Sequence, residues 1–121
     1  MAKSILTVDD SISIRQLLRY VLEGAGYGVV DAVDGKDALA KRAVSPVHLI
    51  ITDLHMPNLD GLELIKAVRA SPAHRFTPCL MVTTETHDDK RQAGRAAGAT
   101  GWIVKPFVPD QLLAIVKKLI G

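Results

Sequence analysis

The chain has 121 residues, of which 48% are hydrophobic and 23% are charged, and its formal net charge is +2. This length predicts a single domain over residues 1–121 with no output domain. The small net charge excludes nucleic-acid binding that is driven by charge alone. No apolar stretch approaches the roughly 18 residues of a membrane span and no signal peptide is recognisable, so we expect a cytoplasmic protein that binds no membrane.

Short apolar runs alternate along the chain with segments whose apolar residues recur at helical spacing. In chain order we predict strand 5–8, a helix capped by Ser11 and ended by Gly24 and Gly26, strand 27–30, helix 36–44, strand 48–52, helix 61–70, strand 79–82, helix 87–97, strand 101–104 and helix 110–120. Strands that are apolar on both faces and alternate with helices indicate an α/β fold with a parallel sheet covered on both sides. The helix over 87–97 is rich in Ala and Gly, so we expect it to pack weakly and to move.

Polar residues follow four of the five predicted strands at the point where each strand ends. Asp9 and Asp10 follow the first strand, Asp53 follows the third, Thr83 follows the fourth and Lys105 follows the fifth. Ligands of parallel α/β sheets bind outside the carboxyl ends of the strands. These side chains are therefore expected to converge on one pocket.

The residue types at these strand ends favour one kind of chemistry. Three close carboxylates repel one another unless a cation neutralises them, and ligands that are all oxygen suit a hard ion such as Mg²⁺ or Mn²⁺. A carboxylate can also act as a nucleophile toward phosphorus, which requires a positive charge and a hydroxyl near the phosphoryl oxygens. Each residue alone is more often a helix cap or a surface residue. Their joint occurrence predicts that Asp53 accepts a phosphoryl group with help from Thr83 and Lys105.

Motifs around these strand ends extend over almost the whole chain. They are Val8-Asp9-Asp10, Asp53-Leu54-His55-Met56-Pro57 with Asp60-Gly61, Thr83, Ala97-Gly98-Ala99 and Lys105-Pro106-Phe107. As a set they resemble the CheY-like receiver-domain family of response regulators in two-component signalling. The resemblance implies a single-domain, flavodoxin-like (βα)5 fold, doubly wound around a five-stranded parallel sheet of order 2-1-3-4-5.

The resemblance also implies a role for each residue of the pocket. Asp53 is similar to the phosphoacceptor of the family. The Mg²⁺ site would consist of the side chains of Asp10 and Asp53, of Asp9 acting through water, and of the main-chain carbonyl of His55.

Five positions have an implied part in the response to phosphorylation. Thr83 and Lys105 would each bond a phosphoryl oxygen. Trp102 stands where the family has its aromatic switch residue, which is most often Tyr or Phe, and the bulkier indole would hinder a full inward swing. His55 and Glu85 stand at the positions that tune the loss of the phosphoryl group to water.

The resemblance implies a phosphorylated signalling protein, not an enzyme in the usual sense. A CheA-like histidine kinase would donate the phosphoryl group, a flagellar motor switch protein would be the target in chemotaxis, and a phosphatase is a further possible partner. We expect a monomer whose output face carries Lys90, Arg91, Arg95, Lys117 and Lys118, either as a solvated basic face or as a dock for an acidic segment. The alternative is a phosphorelay intermediate that passes the group to a histidine phosphotransfer protein.

Two other classes that are compatible with the fold fit the residues less well. A phosphatase with an aspartyl-phosphate intermediate would need a second acid two residues after the nucleophile, where His55 stands. A flavodoxin would cradle a phosphate after the first strand, where Asp9 and Asp10 would repel it.

Overall fold

The computed structural model describes residues 3–44 and 46–121, and in these residues five strands alternate with five helices. The strands are β1 Ser4–Val8, β2 Gly28–Ala32, β3 Leu49–Thr52, β4 Cys79–Thr83 and β5 Gly101–Val104. The helices are α1 Ile12–Gly24, α2 Gly35–Val44, α3 Gly61–Ala70, α4 Asp88–Ala97 and α5 Pro109–Ile120. Each predicted element is present, and its ends agree with the prediction to within two residues.

The strands form one parallel sheet in the order β2-β1-β3-β4-β5. The predicted flavodoxin-like fold, doubly wound with sheet order 2-1-3-4-5, is therefore confirmed. The strand order reverses between β1 and β3, because the chain leaves β1 in one direction to β2 and returns to pair β3 on its other side. In open α/β sheets such a reversal opens a crevice at the carboxyl ends of the two strands.

Two apolar clusters cover the two faces of the sheet. Successive side chains of a strand point to opposite faces, so Leu6 joins the cluster under α2, α3 and α4, and Ile5 joins the cluster under α1 and α5. Burial on both faces explains why the central strands are continuous apolar runs. Helical spacing places Leu17 on the apolar face of α1 together with Leu18 and Val21. This prediction is wrong for Leu17, whose side chain is 42% exposed.

Local signals in the sequence explain where several helices begin. Ser11 caps α1, with its hydroxyl accepting a hydrogen bond from the backbone N–H of Ile14 at 3.4 Å. Asp60 and Glu63 form a capping box at the start of α3, in which each side chain accepts from the backbone N–H of the other residue. These caps determine where the loops that follow β1 and β3 end.

Helix α4 has little apolar surface to bury, as its composition predicts. Only Gly94 and Ala97 are buried among its described residues. Its carboxyl end is held by Arg69 of α3, whose guanidinium donates to the Gly98 carbonyl at 2.8 and 3.2 Å and to the Thr77 carbonyl at 2.6 Å. The helix is therefore attached firmly at one end and weakly along its length.

Among the helices of the described residues, none combines the length and the apolar character that crossing a bilayer requires.

Candidate functional site

The parallel hydrogen-bond ladder continues one residue beyond three strands and carries polar side chains with it. The backbone N–H of Asp9 donates to Ala32 at 3.1 Å, that of Asp53 donates to Val8 at 2.9 Å, and that of Lys105 donates to Thr83 at 2.8 Å. The sheet therefore brings Asp9, Asp53 and Lys105 to one edge, as the positions of these residues after the strands predict.

Three carboxylates meet at this edge. Asp9, Asp10 and Asp53 each offer an oxygen, and these oxygens lie within 4.8 Å of one another. Asp9 and Asp53 are buried, whereas Asp10 is exposed. Like charges at this distance repel strongly where water is scarce, so the cluster needs positive charge to be stable.

Lys105 supplies part of that charge. Its ammonium donates to Asp9 Oδ2 at 2.6 Å and to Asp53 Oδ2 at 3.0 Å. Burial opposes the charged ammonium, but the hydrogen bonds and charges of both carboxylates outweigh burial and raise the pKa of Lys105. The side chain retains only 11% exposure, so the two ion pairs are shielded from solvent and are stronger than surface pairs.

The remaining charge of the cluster matches a divalent cation. Three carboxylates and one ammonium leave a formal charge of −2. The side chains of the cluster offer only oxygen atoms, which suits Mg²⁺ or Mn²⁺ better than a softer transition metal. The arrangement therefore fits the hard divalent ion that the sequence predicts.

The two buried carboxylates are held by their own loops. Asp9 Oδ1 accepts from the backbone N–H of Ser11 at 2.9 Å, and Asp53 Oδ1 accepts from that of Leu54 at 2.7 Å. On each residue the second oxygen faces Lys105. Both side chains are thus oriented before any ligand binds, which lowers the entropic cost of binding.

Two residues that the sequence reasoning did not assign to the site also shape it. The guanidinium of Arg15 donates to the main-chain carbonyl of Asp9 at 2.6 Å. Gly61 packs so closely against the chain that an added Cβ would lie 2.2 Å from the Asp53 carbonyl oxygen. Glycine is a poor helix former, so its position at the first residue of a predicted helix was a usable signal of close packing.

Thr83 ends β4, the strand next to β3, and its side chain is fully buried. Its hydroxyl accepts a hydrogen bond from the backbone N–H of Glu85 at 3.3 Å. This bond links Thr83 to the loop between β4 and α4.

Glu85, in the loop between β4 and α4, lies between His55 and His87. Its Oε1 bonds His55 Nε2 at 2.9 Å and its Oε2 bonds His87 Nδ1 at 2.6 Å. The hydrogen bonds from His87, followed by the one from His55, hold the pKa of Glu85 at about 2, while Glu85 in turn raises the pKa of His87. Glu85 therefore stays ionised at neutral pH, and its bond to His55 joins the β3–α3 loop to the β4–α4 loop.

Trp102 lies on β5 and packs against α4. The buried indole Nε1 has no hydrogen-bond partner within residues 3–44 and 46–121. Its ring lies over Gly94, where an added Cβ would be 2.8 Å from Cζ3 of the indole. The indole thus occupies space next to α4 that the side chain of any other residue at position 94 would fill. Beside the ring, Arg91 and Arg95 line a cleft of about 440 Å³ between α4 and β5.

Comparison with known proteins agrees with this geometry. The family model of the response regulator receiver domain matches residues 5–117. The fold is similar to that of chemotaxis protein CheY4 of Vibrio cholerae, with 49% sequence identity, a TM-score of 0.94 and coverage of 98% of this chain and 99% of that chain.

Two curated relatives come from Bacillus subtilis. The alkaline phosphatase synthesis transcriptional regulatory protein PhoP is 39% identical over 99% of this chain and 49% of its own length. The transcriptional regulatory protein ResD is 40% identical over 96% of this chain and 47% of its own length. The chain thus spans about half the length of these relatives. Together with the family match, the fold and the acidic pocket, these similarities establish that the chain belongs to the CheY-like response regulator receiver domains, a family of signalling proteins.

Proposed function

We propose that this receiver domain accepts a phosphoryl group on Asp53 from a histidine kinase, in a reaction that requires Mg²⁺ or Mn²⁺. The observation that carries the proposal is the Lys105 ammonium between the Asp9 and Asp53 carboxylates, beside Asp10. A nucleophilic carboxylate, a cation and further acidic oxygens are the parts that phosphoryl transfer to aspartate needs.

The proposed metal ligands are the carboxylates of Asp10 and Asp53 and the main-chain carbonyl of His55, with Asp9 acting through water. Bound there, the ion would neutralise charge on the phosphoryl oxygens. Lys105 adds a second positive charge on the other side of Asp53, and the hydroxyl of Thr83 is the proposed donor to a phosphoryl oxygen. Lys105 and Thr83 both already lie at this end of the sheet, so neither side chain has to enter the site from elsewhere.

The transfer step itself needs no further reactant. An oxygen of the Asp53 carboxylate attacks phosphorus as the P–N bond of a phosphohistidine breaks, and the imidazole leaves with the bonding electron pair. The imidazole takes a proton from solvent, and Asp53 becomes an acyl phosphate. The new group carries a charge of about −1.5 to −2, which Lys105 and the metal ion balance.

The first prediction concerns the acceptor. Incubation with radiolabelled acetyl phosphate and Mg²⁺ should label the protein, and Asp53→Ala or excess EDTA should abolish the label. Asp31→Asn is the matched control. It removes a carboxylate near the end of β2, and that carboxylate contacts Arg19 outside the pocket. Equal labelling of wild type and Asp53→Ala would refute Asp53 as the acceptor.

We further propose that the His55–Glu85 bond limits the access of water to the phosphoryl group. His55 comes two residues after Asp53, and its ring is held by Glu85 at 2.9 Å, so the pair spans two loops next to the acceptor. Glu85 is itself fixed, because its side chain is only 10% exposed and its other oxygen bonds His87. A bridge that is held at both ends obstructs an attacking water more than it activates one.

The second prediction tests this bridge through the rate of dephosphorylation. His55→Ala and Glu85→Ala should each speed the loss of label in Mg²⁺ by about two- to tenfold, which corresponds to the net value of one hydrogen bond. The double variant should be no faster than the faster single variant, because both changes break the same contact. His74→Ala is the control, because it removes an imidazole that contacts Thr77 and not Glu85. Slower hydrolysis in His55→Ala would show that the ring assists water.

Trp102 is the proposed switch residue, and Gly94 is what allows an indole at this position. The buried Nε1 without a partner costs about 1–3 kcal/mol, so this arrangement of the ring is not strongly favoured over others. Movement of Thr83 toward a phosphoryl group would change the packing next to α4 and shift the population of ring positions.

The third prediction uses the fluorescence of this single tryptophan. Gly94→Ala should displace the ring, move its emission to longer wavelength and reduce the spectral change caused by beryllofluoride, a phosphoryl mimic. Gly24→Ala is the control, because an added Cβ there meets no atom within 4 Å. A Gly94→Ala spectrum identical to wild type, with and without beryllofluoride, would exclude this role for Gly94.

We propose that the output of the domain is in chemotaxis, through an acidic segment of a target protein such as a flagellar motor switch. Supporting this proposal are the similarity to CheY4 and the basic face beside Trp102. Arg91 and Arg95 line the α4–β5 cleft, and the nearby Val104 and Val108 are apolar and exposed. Such a surface suits a peptide with both acidic and apolar residues.

The fourth prediction separates this output from a phosphorelay. In the presence of beryllofluoride the protein should bind a motor switch peptide at least several-fold more tightly, and Arg95→Glu should remove this gain. Lys36→Glu on α2 is the control with the same charge change. Transfer of label from Asp53 to a histidine phosphotransfer protein, without peptide binding, would support the relay in place of the motor switch.

A further inference from the structure

The loop between β3 and α3, residues 53–60, is held by a side chain from a different part of the sheet. Asp34 lies after β2 and is only 8% exposed. Its Oδ1 accepts from the backbone N–H of Asp37, in the first turn of α2, at 2.8 Å. Its Oδ2 accepts from the side-chain amide of Asn58 at 2.7 Å. One carboxylate thus joins the start of α2 to the middle of the loop, and we call this the Asp34–Asn58 latch.

The backbone at Asn58 has an uncommon conformation that asparagine tolerates better than most residues. Asn58 has φ of +69°, in the left-handed region that few residues other than glycine adopt. Beside it, Leu59 accepts at its carbonyl from the backbone N–H of Gly35 at 3.2 Å. The latch and this backbone bond together attach the loop to the residues that follow β2.

The electrostatics of Asp34 are consistent with a permanent attachment. The hydrogen bond from the Asp37 backbone, followed by that from the Asn58 amide, holds the pKa of Asp34 below its ordinary value. The carboxylate is therefore ionised at neutral pH, and hydrogen bonds to an ionised group are stronger than those between neutral groups.

The latch holds the second half of the loop, and other bonds hold the first half. At its start, Leu54 is tied to Asp53 Oδ1 and to the backbone N–H of Gly61 at 2.7 and 2.9 Å. His55, whose carbonyl is a proposed metal ligand, lies between that fixed start and Asn58. The position of its carbonyl is therefore set by the two attachments that flank it and by the bond from its ring to Glu85.

We propose that Asp34 and Asn58 are positioning residues for the metal site, which hold the His55 carbonyl where it can act as a ligand. This inference rests on the proposed function of the acidic pocket. It adds to that function two residues that touch neither the metal ion nor the phosphoryl group. Partners of this kind affect metal affinity because they remove the cost of ordering a ligand when the ion binds.

The fifth prediction measures Mg²⁺ affinity directly, by calorimetric titration of the unphosphorylated protein. Asn58→Gly removes the amide but tolerates the left-handed backbone, and should weaken Mg²⁺ binding by about tenfold, the lower end of the range for such partners. The phosphorylation rate of this variant should fall at low Mg²⁺ and recover at saturating Mg²⁺. In the metal-free state, the backbone amides of His55, Met56, Asn58 and Leu59 should exchange hydrogen faster in Asn58→Gly than in wild type.

Two further variants and a melting temperature separate the effect of the latch from a loss of charge and from a loss of stability. Asp34→Asn should weaken Mg²⁺ binding as Asn58→Gly does, whereas Asp31→Asn, which removes the same charge nearby, should not. A purely structural role would lower the melting temperature of Asn58→Gly and leave its Mg²⁺ dissociation constant within twofold of wild type, and that result would overturn the latch alone. A wild-type protein that binds no Mg²⁺ would overturn the proposed function and the latch together.

Discussion

The repulsion among Asp9, Asp10 and Asp53 is the constraint on which the site depends. Two of these carboxylates are buried, and all three have oxygens within 4.8 Å of one another. Isolated buried charges are costly, so the arrangement persists only because Lys105 contacts two of them and backbone N–H groups hold their other oxygens. The backbone at Asp9 and Asp53 continues the strand pairing, so the sheet holds these two carboxylates in place. Under the proposed function, the same excess of negative charge that opposes folding would attract a divalent cation.

The architecture and the edge at which the site lies could be predicted from the sequence, because both follow from the alternation of apolar strands and helices. Parallel strands place all their carboxyl ends at one edge of the sheet. A correct prediction of the sheet therefore also places Asp9, Asp53 and Lys105 near one another. The metal and phosphoryl roles of these residues stay predictions, since they concern groups that bind to the pocket.

The side-chain pairs within the site could not be predicted in the same way. Lys105 contacts Asp9 and Asp53 among the acids, Glu85 bonds both His55 and His87, and Asn58 reaches Asp34. Each pair joins two loops whose conformations are set by different helix caps and turns. The pair therefore depends on small differences in the backbone dihedral angles of both loops. Leu17 illustrates a similar limit in a helix, because periodicity placed it on the buried face of α1 although its side chain is exposed.

The loop between β4 and α4 takes part both in the proposed switch at Thr83 and in the bridge from Glu85 to His55. Thr83 begins it, Glu85 bonds the Thr83 hydroxyl through its backbone N–H, and His87 is the N-cap residue of α4. Under the proposed function, movement of Thr83 toward the phosphoryl group would break or stretch the hydrogen bond that its hydroxyl accepts from the Glu85 backbone N–H. The Glu85 side chain keeps its separate bonds to His55 and His87, so under the same proposal the bridge still limits the access of water in the state that signals. Because Arg69 holds the carboxyl end of α4, the movement is concentrated at the amino end of this helix. Signal strength and signal lifetime thus both depend on one short segment under the proposed function.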